Sequence, residues 1–329
     1  MRWQILILAL LLGCTTPRDQ GVELSRAQVS EGPNIRYLGV GGWLLQWKDE
    51  GLLFAPSFTN PPFYRLPFNT TADPARIDEL MPEAPRTSMI LVGHGHYDHL
   101  LDVSHIAQKQ APLATIYGSE NVKHMLASTP AGSRVQTVEK ELSADWVHPG
   151  GWITSKPGHI RIMPIRSEHA PHFAGWHLVP EGSYTLDRDH LPRSAWTWKG
   201  GQAIAWLVDL LNDEGKPVFR IHYQDSAANP PFGFPPVLAD GKSIDLQILC
   251  AGSWTQVDNY PTRLLQVTRP RLIAIGHWEN FIGGDLKNPT IIPFLDLKGL
   301  VKAAEEAAPN TETLVPAPFS DIPLNLNPS

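Results

Sequence analysis

The chain has little cysteine, no long apolar run and no excess of positive charge, and each shortage excludes a class of protein. Only two of its 329 residues are cysteines, Cys14 and Cys250, which is too few for a disulfide framework. An apolar run at residues 5–12 is shorter than the roughly 20 residues that cross a bilayer as a helix. The net charge of −6 gives no basic surface of the kind that binds nucleic acid.

The amino terminus has the layout of a secretory signal. Arg2 precedes the apolar run, and Gly13 and Cys14 follow it. The junction Leu11-Leu12-Gly13-Cys14 resembles the bacterial lipobox, and this resemblance implies that Cys14 is lipidated and anchors the chain in the cell envelope, facing the periplasm. The alternative is a secreted protein whose signal is cut elsewhere. A lipidated Cys14 leaves only Cys250, so no internal disulfide can form.

Strand-like and helix-like segments alternate along the rest of the chain. Beyond a polar flexible tether predicted over residues 15–32, we expect one domain over 33–320 and a tail over 321–329. Strands are predicted at 35–40, 43–47, 52–54, 89–92, 115–118, 160–165, 203–208, 218–223, 244–249 and 272–275, and helices at 75–80, 100–107, 120–127 and 298–307. This alternation fits a sandwich of two sheets with helices outside. The irregular segment 173–201 is too long for a simple connector and is expected to be functional.

The densest chemical signal is the run His94-Gly95-His96-Tyr97-Asp98-His99, which directly follows the predicted strand 89–92. Neutral imidazoles bind zinc, iron and similar ions through one ring nitrogen, and a carboxylate adds a hard oxygen ligand. In a regular strand, His99 would point away from the other three side chains, so a loop is needed for all four to converge. The run therefore indicates a metal site.

This run resembles the HxHxDH motif of the metallo-β-lactamase superfamily, and the resemblance extends over residues 35–318. It implies the four-layer αββα fold, with two mixed sheets flanked by helices and metals at the open edge between the sheets. In that superfamily the remaining ligands follow the ends of later strands, where this chain has His169, Asp225 and His277. His159 and His172 are rivals of His169, and Asp209 is a rival of Asp225.

The superfamily implies two divalent metal ions, with zinc the first choice and manganese or iron the alternatives. By this correspondence one set of ligands holds one ion, a second set holds the other, and an aspartate bridges them. The sets are His94, His96 and His169, then Asp98, His99 and His277, with Asp225 as the bridge. A metal-bridging hydroxide would then hydrolyse the substrate. Asp98 would orient it, and His172 or Tyr97 would assist the leaving group.

Several short elements resemble one branch of the superfamily, which contains ascorbate-phosphate lactonases and the phospholipase D that cleaves N-acyl phosphatidylethanolamine. They are residues 38–45, 198–201, 223–225 and 275–278. The chain departs from that branch at Ala55-Pro56 and at Gly39-Val40. The branch implies an ester, lactone or phosphodiester substrate. The predicted membrane tether and the apolar loops 61–64 and 230–234 favour one derived from lipid; the alternative is that these loops only cover the edge of the core.

Two other classes of function are open alternatives. One is a catalytically inactive binding protein of the envelope that keeps the fold, although retention of all seven candidate ligands argues against loss of the metals. The other is a di-iron oxidoreductase, but such members typically carry a glutamate where His96 stands. The expected partners are therefore a small-molecule or lipid substrate and the membrane at Cys14, with no nucleic acid. Composition leaves the oligomeric state open.

Overall fold

The protein is described from a computed structural model, which covers residues 15–26, 32–142, 147–172 and 179–326. The predicted signal and the lipidation site at Cys14 lie outside the described residues. Among those described, no helix is both long enough and apolar enough to cross a bilayer.

The described residues form two seven-stranded mixed sheets. The first sheet, in spatial order, contains β14 (Asp321–Pro323), β1 (Asn34–Gly39), β2 (Gly42–Trp47), β3 (Glu50–Phe54), β4 (Thr87–Leu91), β5 (Thr115–Gly118) and β6 (Val135–Thr137). The second contains β13 (Glu312–Leu314), β12 (Leu272–Gly276), β11 (Leu246–Cys250), β10 (Pro217–Tyr223), β9 (Ile204–Leu211), β8 (Ile160–Arg166) and β7 (Ile153–Thr154). Each sheet is antiparallel on one side and parallel on the other.

Helices flank the sheets. They are α1 (Pro74–Leu80), α2 (Tyr97–Leu100), α3 (Val103–Lys109), α4 (Glu120–Leu126), α5 (Thr262–Thr268) and α6 (Leu297–Ala307). The first four pack apolar side chains, such as Ile106 and Val122, on the outer face of the first sheet. Helices α5 and α6 pack against each other and contribute Leu264 and Leu300 to the larger core. The predicted αββα architecture is therefore confirmed.

The larger core lies between the sheets because successive strand residues point to opposite faces. In β9, Trp206 and Val208 belong to the core shared by both sheets, whereas Leu207 belongs to a small cluster on the outer face. Phe54 of the first sheet meets Tyr223 of the second, with ring centroids 4.7 Å apart. This packing fixes the two sheets relative to each other, so that side chains from both can share one site.

Both ends of the domain differ from the prediction. Residues 15–26, expected as part of a flexible tether, pack on the body: Val22 is buried in the core, and Ser25 forms a β-bridge with Pro316. The predicted tail likewise begins with β14, which pairs with β1 and places Asp321 against Arg36. These short segments bind by apolar and polar contacts with distant parts of the chain, which hydrophobic periodicity does not report.

The topology brings four strand ends to one place. Because β8 and β10 both run antiparallel to β9, and β10, β11 and β12 are parallel, β8, β10 and β12 end at the same edge of the second sheet. The end of β4 in the first sheet meets this edge, where the Ile204 N–H donates to the Gly93 carbonyl at 2.8 Å. The segments after these four strands therefore converge.

Candidate metal centre

The histidine motif forms a tight loop after β4. His96 has extended backbone and precedes helix α2, where its carbonyl accepts hydrogen bonds from the N–H groups of His99 and Leu100 at 3.0 Å. The helix turn brings Asp98 and His99 back toward His94 and His96, as a straight strand could not. All four motif ligands are buried. The sequence expectation of a loop here is therefore confirmed.

The other three predicted ligands follow strands of the second sheet. His169 lies three residues after β8, Asp225 two residues after β10, and His277 directly after β12. His277 adopts a left-handed φ of 57°, which is uncommon for a residue with a Cβ atom. Its N–H donates to the Val40 carbonyl at 2.7 Å and to the Tyr37 hydroxyl at 2.9 Å. These bonds hold the imidazole at the open end of the sandwich.

All seven predicted ligands come together there. Possible ligand atoms of His94, His96 and His169 lie within 4.8 Å of one another, as do those of a second group, Asp98, His99 and His277. Asp225 contacts one histidine of each group: its carboxylate oxygens lie 2.5 Å from His94 Nδ1 and 3.0 Å from His99 Nδ1. The two groups match the two ligand sets that the superfamily resemblance implies, and Asp225 lies between them.

The structure separates the predicted ligands from two of their rivals. Asp209 pairs with Arg220 at 2.6 Å and with Arg161 at 2.7 Å, so its carboxylate belongs to a structural ion-pair cluster. His159 lies beside Lys48 on the surface, with its Nδ1 3.4 Å from the lysine nitrogen. Both residues are therefore placed by contacts outside the centre.

His172 does lie at the centre, but outside the two groups. Its ring centroid is 4.9 Å from that of His169 and 5.6 Å from that of His96. It joins a different group, with His169 and Glu181. Tyr97 is buried, and burial raises the pKa of its hydroxyl well above the usual value. Its phenol therefore remains protonated.

The donor set fits divalent metal ions. Within the described part of the chain, the buried Nε2 atom of His94 has no hydrogen-bond partner. Burying an unpaired polar atom costs about 1–3 kcal/mol, and a metal ion would satisfy it. His99 Nε2 and His277 Nε2 face each other at 3.0 Å, as two imidazole ligands of one ion can. Five histidines and two aspartates are ligands that zinc, manganese and iron all accept.

The pKa values of His94, His96 and Asp225 are shifted toward the protonation states that metal ligands need, whereas Asp225 and Asp98 outweigh burial and raise the pKa of His99. Burial lowers the pKa of His94 to about 4 and that of His96 well below its usual value, so both imidazoles are neutral at pH 7. Burial would raise the pKa of Asp225, but the adjacent His99 and His94 outweigh it and hold that pKa far below the usual range. Metal ligands must be deprotonated, and His94, His96 and Asp225 are.

Close contacts with the predicted ligands explain why glycine occupies two positions near them. A Cβ atom on Gly93 would lie 2.2 Å from the Asp225 carboxyl carbon, and one on Gly41 would lie 2.8 Å from His99 Cε1. Neither position can take a larger residue without moving a ligand. Sequence reasoning did not single out these glycines, because the contacts join segments far apart in the chain.

Asp102 anchors a neighbouring loop and was also missed. Its buried carboxylate accepts hydrogen bonds from the N–H groups of Phe58 and Thr59 at 2.6 and 2.8 Å and from the Thr59 hydroxyl at 2.5 Å. It thereby fixes the loop after β3 to the start of helix α3. Its place four residues beyond Asp98 was the only sequence signal available.

Comparison with known families agrees with this geometry. Residues 52–209 match a β-lactamase superfamily domain. The matched segment begins within β3, ends within β9 and contains the histidine motif. The predicted superfamily resemblance is thereby confirmed, and Asp225 and His277 lie beyond the matched segment. No curated protein matches the chain.

Solved structures of the superfamily share the fold. A novel metallo hydrolase from the archaeon Ignicoccus hospitalis has a TM-score of 0.52 at 13% identity, covering 88% of this chain and 97% of its own. A possible metal-dependent hydrolase from Veillonella parvula also gives 0.52 at 13%, covering 91% and 100%. The metallo-β-lactamase fold protein YhfI from Bacillus subtilis gives 0.51 at 13%, covering 89% and 100%. At such identities the likeness shows the fold, and the lactonase and phospholipase branch stays a prediction.

Proposed function

We propose that this protein is a binuclear metal-dependent hydrolase of the cell envelope that acts on an ester, lactone or phosphodiester. The observation that carries the proposal is the convergence of seven ligand-type side chains from four strand ends into two largely buried groups, with Asp225 in contact with both. An inactive binding protein would have no need to keep so many polar groups desolvated at one place, because each is costly unless paired.

Each group of side chains has a role in this proposal. His94, His96 and His169 would hold one ion, Asp98, His99 and His277 the other, and Asp225 would contact both. Divalent ions there would supply Lewis acidity, which activates water at neutral pH and stabilises negative charge on the attacked group. Zinc fits the imidazole-rich donors best, and manganese or iron would also be accepted.

Two side chains, Asp98 and His172, would orient the attacking water and protonate the leaving group. Asp98 Oδ2 lies 3.3 Å from His277 Nε2 and 3.5 Å from His99 Nε2, and its pKa is held well below the usual value despite burial. It would therefore stay ionised and orient the attacking water. His172 lies beside the first group and is partly exposed, which suits a group that protonates the leaving oxygen.

The envelope location and a lipid-derived substrate have separate support. The location rests on the signal-like residues 5–12 and on Cys14. The substrate class gains support from a loop in which Phe63 and Tyr64 are exposed by 59% and 76%. This loop reaches the segment beyond His277, since a Cβ on Gly283 would contact Pro62 at 3.3 Å. An exposed aromatic surface beside a site favours an apolar ligand.

The first experiment is to measure metal content per chain by elemental mass spectrometry. The full chain would be purified in detergent, without chelator or metal-affinity resin, beside the variants Asp225→Ala and Asp213→Ala. The second aspartate is a control, because it lies on the exposed β9–β10 turn and pairs only with Lys48 among the described ion pairs. About two ions are expected in the wild type and the control, and fewer in Asp225→Ala.

Hydrolysis of an aryl ester, a lactone and an aryl phosphodiester would then be compared in the same three proteins. Asp225→Ala is expected to lose more than about 100-fold in rate, since even the outer partners of metal ligands contribute 10–100-fold. A wild-type protein that takes up no metal even on reconstitution would sink the enzyme proposal and leave a binding protein. Two irons with oxygen consumption in place of hydrolysis would identify an oxidoreductase.

A further inference from the structure

A short segment of the long irregular stretch packs directly against the metal centre. We call residues 179–184 the arm. Its backbone is fixed at two points, because the Gly200 N–H donates to the Pro180 carbonyl at 2.9 Å and the Gly201 N–H donates to the Glu181 carbonyl at 3.0 Å. The arm is therefore held in a defined position before any side chain is considered.

The same backbone connects the arm to the histidine motif. The Gly95 N–H donates to the Gly200 carbonyl at 2.8 Å, and the Asn121 side chain donates to the Lys199 carbonyl at 2.7 Å and accepts from the Tyr184 N–H at 2.8 Å. A line of hydrogen bonds thus runs from the motif through residues 199–201 to the arm. Movement of the arm would therefore displace the histidine motif.

Two arm residues face two ligands of the first group. The Glu181 Oε1 atom lies 3.2 Å from His169 Nδ1, and the Pro180 carbonyl oxygen lies 3.3 Å from His96 Nε2. A histidine binds a metal ion through one nitrogen, and the other nitrogen commonly donates its N–H to a carboxylate or a carbonyl, which fixes the ring and its tautomer. The arm presents one acceptor of each kind.

We propose that Glu181 is a positioning residue of the metal centre. Its carboxylate lies within ion-pair distance of His169 Nδ1 and would favour the tautomer that carries the proton on that nitrogen, which directs Nε2 into the first ligand group; the inference rests on the proposed function. Tight packing supports this role, since a Cβ on Gly200 would come within 2.9 Å of Glu181 Oε2 and 3.0 Å of His96 Nε2. The negative charge also strengthens His169 as a ligand.

The rival arrangement is a separate cation held by Glu181 itself. His169, His172 and Glu181 have possible ligand atoms within 4.8 Å of one another. That ion would need His169 as a ligand, but the same ring also belongs to the first group with His94 and His96. Serving both would require one imidazole to bind two ions. We therefore favour the positioning role, and metal stoichiometry distinguishes the two.

The test is the affinity for Zn²⁺, measured on the full chain by competition with a chromophoric chelator. Glu181→Ala is expected to bind the ion of the first group about 10–100-fold less tightly than the wild type does. The affinity of Glu181→Gln, which keeps an acceptor oxygen without charge, should lie between those of the wild type and Glu181→Ala. Asp187→Ala is the matched control, because it removes a comparable pair, Asp187 with His124 at 2.8 Å, in the same stretch of chain. The metal-free proteins should share one thermal midpoint.

Substitution with Co²⁺ adds a readout that does not depend on activity. A reoriented His169 should change the visible absorption of the bound cobalt in Glu181→Ala and leave it unchanged in the Asp187 variant. Zn²⁺ affinity within twofold of the wild type, with an unchanged cobalt spectrum, would overturn the proposal. So would three ions in the wild type and two in Glu181→Ala. A wild type that binds no metal would instead refute the proposed function itself.

Discussion

At the scale of single residues, Gly93 is what allows predicted ligands from the two sheets to meet. It lies between β4 and His94, and the Asp225 carboxylate occupies the space where its Cβ atom would be. Any side chain there must displace either the histidine loop or the aspartate. Because Gly93 has no Cβ atom, His94 and Asp225 can lie in contact.

Gly93→Ala is therefore expected to separate Asp225 from His94 and His99 and to lower metal content below that of the wild type. The comparison is Gly182→Ala, because among the described residues a Cβ there meets only the Lys199 side chain, at 3.8 Å. Elemental mass spectrometry on both variants checks the expectation. Two firmly held ions in the Gly93 variant would mean that Asp225 is not needed between the two groups.

Residue types and their spacing predicted most of the site, and chain folding supplied the rest. His94, His96, Asp98 and His99 could be found because they are adjacent in sequence and follow a strand. His169 was preferred over its rivals only through the superfamily resemblance. Glu181 could not be found, because its contact depends on the path of a long irregular segment that has no periodic pattern.

At the scale of elements, the last strand closes an edge of the first sheet. Within β14, Asp321 is 2% exposed, and its carboxylate accepts two hydrogen bonds from Arg36 of β1, both of 2.8 Å. Arg36 is itself partly exposed. The pair fixes a strand of only three residues, which apolar contacts from Ile322 alone would hold weakly.

Asp321→Ala is expected to lower the free energy of unfolding by about 1–3 kcal/mol, because it removes a buried acceptor and leaves the Arg36 guanidinium unpaired. Denaturant unfolding would measure the loss. Glu312→Ala, at an exposed position of β13, should change stability by less than about 0.5 kcal/mol. Equal stabilities for the two variants would show that β14 does not depend on the ion pair.

Element length explains which strands could be predicted. The central strands, such as β2, β8 and β9, are six to eight residues long and show clear apolar patterns. β6, β7, β13 and β14 have only two or three residues, which is too short for a period of two to appear. Their positions are decided by partners from distant parts of the chain.

At the scale of the whole molecule, the proposed ions would join the two sheets. His94 and its neighbours belong to the first sheet, whereas His169, Asp225 and His277 follow strands of the second. Bound metal would therefore stabilise the sandwich as well as supply chemistry, because a ligand that binds only the folded state adds to its stability.

Removing the metal with a chelator is expected to lower the thermal midpoint by about 10 °C, if the ions are present at ~1,000 times their dissociation constant. Re-addition of Zn²⁺ should restore it, as followed by circular dichroism. The Asp225→Ala protein serves as the reference, since its midpoint should respond much less to chelator. Wild-type protein with one midpoint in both conditions would contradict this coupling.

The fold class could be predicted from the sequence because one motif and many strands agreed on it, but the strand order could not. Periodicity says which residues are buried and leaves open which strand lies beside which. The order seen here, with β14 beside β1 and β13 beside β12, joins segments up to about 290 residues apart, as the Asn34–Pro323 pairing shows. Only the three-dimensional packing decides such pairings.

Because residues 15–26 pack on the domain, almost no free chain would separate a lipid on Cys14 from the folded body. The carbonyl of Thr15 accepts from the Ile291 N–H at 2.8 Å, and Gln20 bonds Leu295 and Leu297. An anchored molecule could not swing freely on a linker, because the first described residue is already part of the folded body. On the proposed Cys14 anchor, the surface around the exposed Phe294 would lie toward the bilayer, and the fold would set the height and tilt of the candidate metal centre above it.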